Sequence, residues 1–150
     1  MKKLKLYLDT CCYNRPFDDQ TQDKIHVETE CIIAILHRCE QDEWDLYGSD
    51  ILENELSNNL NIDKQRSTKL LYRIADYIIE LNDTIVDRAL EFEKIGLKSY
   101  DSLHLASAEY INIDVFLTTD IKFIKNALKA NTTVKVMNPV NFIMEVLENE

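Results

Sequence analysis

The chain is organised around residues 4–19, which read LKLYLDTCCYNRPFDD. Leucine occupies every second position from 4 to 8, and this period-two pattern predicts a β-strand close to the start of the chain. The pattern ends abruptly at Asp9. Because ligands of open α/β sheets bind beyond the carboxyl ends of the strands, the Asp9 carboxylate is expected to face a functional site. A solvent-exposed turn residue is the alternative interpretation of Asp9 alone.

The composition indicates one α/β domain that is rich in helices. A chain of 150 residues is long enough to bury a sizeable core, and we expect a single domain over residues 1–150. Only two Gly and two Pro are present, which disfavours the dense turns of an all-β protein. Strand patterns separated by helical patterns, with connections too long for hairpins, predict a mainly parallel sheet covered by helices.

Charge and cysteine usage restrict the partners and the compartment. Seventeen basic and 27 acidic residues leave a net charge of −10, so an anionic substrate requires a local basic patch. The four cysteines show no Cys-x-x-Cys spacing and are interpreted as buried reduced thiols. No apolar run approaches the roughly 18 residues of a membrane span, and the N-terminus lacks the apolar core of a signal peptide. We therefore expect a cytoplasmic protein without membrane association.

A second carboxylate is predicted on the helix after the strand-like segment at residues 44–49, where Ser49 is a suitable N-cap. This helix is placed over residues 50–60, and its apolar arc consists of Ile51, Leu52, Leu56 and Leu60. Glu55 lies inside that arc, whereas Glu53 lies at its margin. Burying an unpaired carboxylate is costly, so Glu55 either faces a positive group such as a metal ion or turns outward to solvent.

Two further acids stand at the ends of predicted elements in the second half of the chain. Asp101 is placed in the first turn of a buried helix that Ser99 can cap, where an acid often only compensates the helix dipole. His104 follows three residues later. An Asp-x-x-His pair can bind metal, but a hydrogen-bonded core histidine is the favoured interpretation. Asp120 follows a predicted strand at residues 115–117 and two threonines, which repeats the arrangement of Asp9.

In this order, Asp9, Glu55, Asp101 and Asp120 resemble the acidic residues of the PIN-domain nucleases, including the VapC-type toxin ribonucleases. The resemblance covers essentially the full length and rests on the segments YLDT, SDILENEL, DSLHLASA and FLTTDIKF. It implies a three-layer α/β/α fold and metal-dependent cleavage of phosphodiester bonds in RNA, which we expect to be single-stranded. The four acids would form the catalytic and metal-binding site.

The predicted site calls for a divalent cation. Two carboxylates about 6 Å apart repel each other by roughly 3 kcal/mol at an effective dielectric constant near 20, so converging acids favour a bound cation. Hard oxygen donors without a Cys or His cluster favour Mg²⁺ or Mn²⁺ over zinc. The resemblance also suggests that Thr10 or Thr119 orients the acids or the phosphate through its hydroxyl group.

Contacts with RNA are predicted at basic residues close to these segments. The candidates are Arg15, Lys122, Lys125 and Lys129. Ordinary surface solubility is the alternative explanation for these charges. If they form the local basic patch, their replacement is expected to change the salt dependence of RNA binding.

Several points remain open at the level of sequence. A catalytically silent PIN-like binding or regulatory module is the main alternative function. Phosphatases of the haloacid dehalogenase type place a second Asp two residues after the nucleophile, where this chain has Cys11, so that class is disfavoured. An antitoxin protein and a homodimer are candidate partners. Asp18 and Asp19 are either additional metal ligands or part of a polar loop.

Overall fold

The computed structural model describes residues 2–150, and its centre is a parallel β-sheet. The strands are β1 (Lys5–Leu8), β2 (Asp45–Ser49), β3 (Tyr77–Ile79), β4 (Val115–Leu117) and β5 (Lys135–Met137). Their spatial order is β3-β2-β1-β4-β5, and every neighbouring pair is parallel. The central strand is therefore β1.

Helices connect consecutive strands, and a last helix follows β5. They are α1 (Thr10–Asn14), α2 (Asp23–Glu40), α3 (Asp50–Ser57), α4 (Ile62–Tyr72), α5 (Asp83–Lys94), α6 (Ser99–Tyr110), α7 (Ile121–Lys129) and α8 (Pro139–Glu148). Leu6, Tyr7 and Leu8 of β1 are all fully buried. Since successive strand residues point to opposite faces, both faces of β1 are covered. The predicted α/β fold, with a parallel sheet in a three-layer α/β/α arrangement, is confirmed.

Two predicted helix ends differ from the structure. The helix capped by Ser49 ends at Ser57, so Leu60 lies beyond it and is 96% exposed; its assignment to the buried arc is wrong. The polar run after Ser57 explains the early end, because Asn side chains compete with the helical backbone for hydrogen bonds. Lys98 rather than Ser99 is the N-cap of α6, since the Lys98 carbonyl already accepts a helical hydrogen bond.

Aromatic side chains pack beneath the carboxyl edge of the sheet. The ring of Tyr7 stacks on that of Phe116 at 5.0 Å, and Phe116 contacts Phe123 at 5.1 Å. Gly48 in β2 lies against the ring of Tyr72, where an added Cβ would come within 2.6 Å of ring carbons. These contacts hold the central strands and their flanking helices in a close packing that leaves little freedom at the sheet edge.

The cysteine thiols differ in burial. All four cysteine thiols are free; Cys12 and Cys39 are buried, while Cys11 and Cys31 are only half-buried. Burial raises the pKa of Cys12 well above its ordinary value.

None of the helices within residues 2–150 is both long and apolar enough to cross a membrane.

Candidate active site

The carboxyl ends of β1 and β4 bring Asp9 and Asp120 to the same edge of the sheet. Asp9 directly follows β1, and its backbone N–H donates to the carbonyl of Leu117 in β4 at 2.9 Å. Asp9 is the N-cap of α1, and Asp120 is the N-cap of α7. Each carboxylate thus stands where a strand turns into a helix, which is the position that the sequence pattern predicted for both.

Glu55 of α3 and His104 of α6 meet Asp9 beyond this edge. One side-chain ligand atom from each of these three residues lies within 4.8 Å of the other two. The Nε2 atom of His104 is 2.8 Å from Glu55 Oε1 and 3.8 Å from Asp9 Oδ1. Glu55 is half-buried while Glu53 is exposed, as the helical arc predicted. The interpretation of His104 as a hydrogen-bonded core residue agrees with its complete burial.

The Glu55 carboxylate has an asymmetric environment. The Thr10 hydroxyl donates to Oε1, and His104 contacts the same oxygen, whereas no hydrogen bond from residues 2–150 reaches Oε2. Burial raises the pKa of Glu55, but the contacts with His104 and Thr10 outweigh this effect, and the resulting pKa lies below its ordinary value. Glu55 therefore stays ionised at neutral pH, with Oε2 available to a ligand.

Asp101 lies in the electrostatic field of the other acids. Burial, reinforced by the negative charges of Asp9, Asp120 and Glu55, raises the pKa of Asp101 to about 7, against a smaller opposing effect of His104. Asp9 and Glu55 thus each offer a ligand atom within 4.8 Å of the other. The negative charges of Asp9, Asp120 and Glu55 all raise the pKa of Asp101. At neutral pH the Asp101 carboxyl retains a proton about half of the time.

The hydroxyl that holds Asp9 belongs to Thr118, a residue that the sequence analysis did not select. Thr118 Oγ1 donates to Asp9 Oδ2 at 2.8 Å, and the backbone N–H of Thr10 donates to Oδ1 at 2.8 Å. Thr119 instead accepts a hydrogen bond from Arg15 at 2.9 Å. Since the last residues of β1 and β4 are paired in register, the residues that follow them, Asp9 and Thr118, are neighbours. A correct strand pairing would have identified Thr118 from the sequence.

The predicted RNA contacts fall into two groups. Arg15 is committed within the protein: it donates to Asp18 at 3.1 Å, and its Nε lies 3.1 Å from the buried Glu28 carboxylate without hydrogen-bond alignment. The other group lies on one face of α7, at positions i, i+3 and i+7, and consists of Lys122, Lys125 and Lys129. All three are exposed, and none forms an ion pair within residues 2–150.

Asp18 and Asp19 take part in loop contacts rather than in the acid cluster. Asp18 receives the Lys64 ammonium group at 2.6 Å in addition to Arg15. Asp19 accepts from the backbone N–H and the hydroxyl of Thr21 at 3.0 and 2.7 Å. These hydrogen bonds lower the pKa of Asp19. Of the two interpretations left open for this pair, the contacts favour the polar loop.

The residues at the edge of the sheet fit a hard divalent cation. Carboxylate oxygens supply the donors that Mg²⁺ and Mn²⁺ prefer, and their converging charge is unfavourable without a counterion. Burial is the main reason that the pKa of Asp101 is raised, and the negative charges of Asp9, Asp120 and Glu55 add to this effect. The side-chain nitrogen in this group, His104 Nε2, already contacts Glu55.

The parallel sheet with acids at its carboxyl edge defines an α/β domain with a candidate cation site, and comparison with known proteins identifies the family. The model of the PIN domain matches residues 6–129, so the chain belongs to the PIN domain family. PIN domains are typically nucleases. No curated protein matches the chain.

Two solved structures share this fold at low sequence identity. VapBC2 from Rickettsia felis, bound to a DNA fragment from its promoter, matches with a TM-score of 0.58 and 16% identity over 89% of this chain and 98% of that chain. VapBC-1 from nontypeable Haemophilus influenzae matches with a TM-score of 0.55 and 14% identity over 91% of this chain and 98% of that chain. At these identities the similarity establishes the common fold.

Proposed function

We propose that this protein is a metal-dependent endoribonuclease that hydrolyses phosphodiester bonds in single-stranded RNA. The observation that carries the proposal is the proximity of Asp9 and Glu55 at the carboxyl edge of the sheet. The charges of these two residues and of Asp120 also raise the pKa of Asp101. Membership of the PIN domain family supports it, because PIN domains are typically nucleases. We assign the four acids as the catalytic residues and as the ligands of Mg²⁺ or Mn²⁺.

For three of the four acids, the surroundings indicate a role. A bound Mg²⁺ or Mn²⁺ supplies Lewis-acid activation of the attacking water and neutralises charge at the phosphate. Asp9 is positioned for cation binding by Thr118 and Thr10, and Asp120 is held by the first-turn N–H groups of α7. Glu55 offers Oε2 either as a cation ligand or to orient the attacking water, since Oε1 is engaged. The expected products carry a 5′-phosphate and a 3′-hydroxyl.

The RNA strand is expected to depend on a local basic surface, because the net charge of −10 repels a polyanion. The three exposed lysines on one face of α7 are the proposed phosphate contacts. Arg15 is a weaker candidate, since binding RNA would compete with its contacts to Asp18, Glu28 and Thr119.

We further propose that the protein acts with an antitoxin partner. The fold shared with two VapBC structures, together with the resemblance to VapC-type toxins, supports the toxin of a toxin–antitoxin pair. An antitoxin is then the proposed protein partner, and a homodimer, a cytoplasmic location and a single domain over residues 1–150 complete the proposal. Co-expression with a small protein encoded beside this one should relieve growth inhibition if the pairing is correct.

A cleavage assay on single-stranded RNA tests the enzymatic proposal. We expect cleavage in Mg²⁺ or Mn²⁺, no cleavage in chelator, and loss of activity in Asp9→Asn. The matched control is Asp87→Asn, which removes one exposed carboxylate from the middle of α5. Wild-type rates in purified Asp9→Asn would refute the site.

The alternative is a PIN-like domain that binds without catalysis. Such a domain would bind RNA or protein but release no 5′-phosphorylated product with either cation. The proximity of Asp9 and Glu55, together with the effect of the Asp9, Asp120 and Glu55 charges on Asp101, favours the enzyme, since a binding module does not need mutually repelling carboxylates.

A further inference from the structure

A chain of buried polar side chains runs from the start of α3 to Glu55. The Ser49 hydroxyl lies 2.6 Å from the Tyr7 hydroxyl, which lies 2.6 Å from His104 Nδ1. His104 Nε2 then lies 2.8 Å from Glu55 Oε1. Ser49, Tyr7 and His104 are each 0% exposed. These groups come from β1, from α6 and from α3 with its N-cap, and the proposed function assigns a role only to Glu55.

The direction of every hydrogen bond in this chain follows from its first member. Ser49 Oγ accepts the backbone N–H of Leu52 at 3.0 Å, and Tyr7 is its other side-chain partner within residues 2–150. Donation from Ser49 to Tyr7 is the favoured direction, because the opposite direction would leave the buried Ser49 proton without an acceptor within residues 2–150. Tyr7 then donates to His104 Nδ1, which must carry no proton.

The remaining proton of His104 is therefore on Nε2, where it points at Glu55. A neutral imidazole with a bare Nδ1 is a donor at Nε2 only. Together with the Thr10 hydroxyl, His104 places two donors on Glu55 Oε1. With both donors on one oxygen, the carboxylate cannot rotate freely, and Oε2 is directed away from the protein hydrogen bonds.

We infer that His104 is a positioning residue: Tyr7 holds His104 in the Nε2–H tautomer, so that His104 fixes Glu55 with Oε2 turned toward the cation site. This inference rests on the proposed function, because it assigns Glu55 to a cation. It concerns residues outside the acid set, and it explains why a fully buried histidine contacts an ionised carboxylate at the edge of the sheet.

Direct binding of a cation by His104 is the competing interpretation, since its Nε2 lies near both Asp9 and Glu55. That role would require a bare Nε2 and a proton on Nδ1. The hydrogen bonds of Tyr7 and Ser49 would then have to reverse, and the Ser49 proton would lose its acceptor within residues 2–150. The chain of hydrogen bonds thus opposes coordination by His104.

The tautomer can be read directly from long-range ¹H–¹⁵N correlations of the imidazole rings. The other two histidines, His26 and His37, are exposed and serve as internal references. In chelator, we expect His104 to show a protonated Nε2 and an unprotonated Nδ1, and to keep this pattern after addition of excess Mg²⁺. A proton on Nδ1, or loss of the Nε2 proton on addition of Mg²⁺, would overturn the inference.

Cation affinity provides a second readout that requires neither RNA nor catalysis. Tyr7→Phe removes only the hydroxyl and keeps the ring on Phe116. We expect it to weaken Mn²⁺ binding, followed by electron paramagnetic resonance of free Mn²⁺, by about tenfold, the lower end for residues that orient metal ligands. Tyr13→Phe is the matched control, because Tyr13 is equally buried but its hydroxyl has no hydrogen-bond partner within residues 2–150.

The outcomes separate this inference from the proposed function. If the wild type binds Mn²⁺ and Asp9→Asn does not, an unchanged affinity in folded Tyr7→Phe refutes the inference alone. If the wild type does not bind Mn²⁺, the proposed function fails, and the tautomer in chelator still decides whether the hydrogen-bond chain is correct. Ser49→Ala is unsuitable as a test, because it also removes the N-cap of α3.

Discussion

Replacing Asp101 with Asn should stabilise the metal-free protein. The pKa of Asp101 is about 7 in the fold against an ordinary value of 3.8. At about 1.4 kcal/mol for each pKa unit, this difference corresponds to roughly 4 kcal/mol, which solvent screening of the partly exposed carboxyl reduces to about 2 kcal/mol. For a domain of this size, that is an increase in melting temperature of about 4–8 °C at pH 8 in chelator.

The pH dependence of this effect has a definite sign. A carboxyl whose pKa is raised by folding destabilises the fold progressively as pH rises from the unfolded value to the folded value. The difference in stability between Asp101→Asn and the wild type should therefore be absent below about pH 4, grow up to about pH 7 and stay constant above it. Thermal melts at pH 4, 6 and 8 in chelator measure this difference.

The same variant should respond less to metal. With free Mn²⁺ at about ten times its dissociation constant, the wild type gains roughly 1.4 kcal/mol, or about 3–6 °C. Asp101→Asn should gain less, because it lacks one ligand and has less repulsion to relieve. Asp87→Asn, the exposed control, should match the wild type in both conditions. If Asp101→Asn shows the full increase in melting temperature with Mn²⁺ and the wild-type melting temperature in chelator, Asp101 is only a first-turn residue of α6 and not part of the site.

Three further predictions follow from the site and the sheet. Glu55→Gln should lose most RNA cleavage, whereas Glu53→Gln should keep it because only Glu55 faces the acids; equal losses would contradict this. The double variant Lys122→Glu with Lys125→Glu should weaken RNA binding and lower its salt slope by about 1.4, as measured by titration at several salt concentrations; an unchanged slope would exclude this surface. Gly48→Ala should destabilise the protein in urea by about 1–3 kcal/mol, because the added Cβ meets an aromatic ring; unchanged stability would show that the ring moves aside.

The positions of Asp9 and Asp120 could be predicted because they depend on short-range signals. An apolar strand pattern that stops at an acid, followed by helix-forming residues, identifies a strand-to-helix corner without knowledge of the rest of the fold. The orientation of Glu55 was equally accessible, since the 100° rotation per residue is a property of any helix. The prediction that Leu60 belongs to the buried face of this helix was wrong, because periodicity alone does not detect where a helix ends.

Long-range hydrogen bonds could not be predicted in this way. Thr119 was selected where Thr118 contacts Asp9, because the choice depends on the register between β1 and β4. The ion pair between Arg15 and Glu28 depends on how α2 packs beside the first loop. Neither relation has a signal in the spacing of residues along the chain.

The class of fold and the family could be predicted from the sequence by itself, because hydrophobic period, capping residues and the order of segments are local properties of the chain. The four acids were also selected from the sequence, and their role as a site stays a prediction. Only the tertiary structure decided which groups hold those acids. Tyr7 and His104 are 97 positions apart, and their hydrogen bond exists because parallel pairing and helix packing bring both into one buried layer. Most buried polar groups are hydrogen-bonded, and the partner of each is set by packing rather than by distance along the sequence.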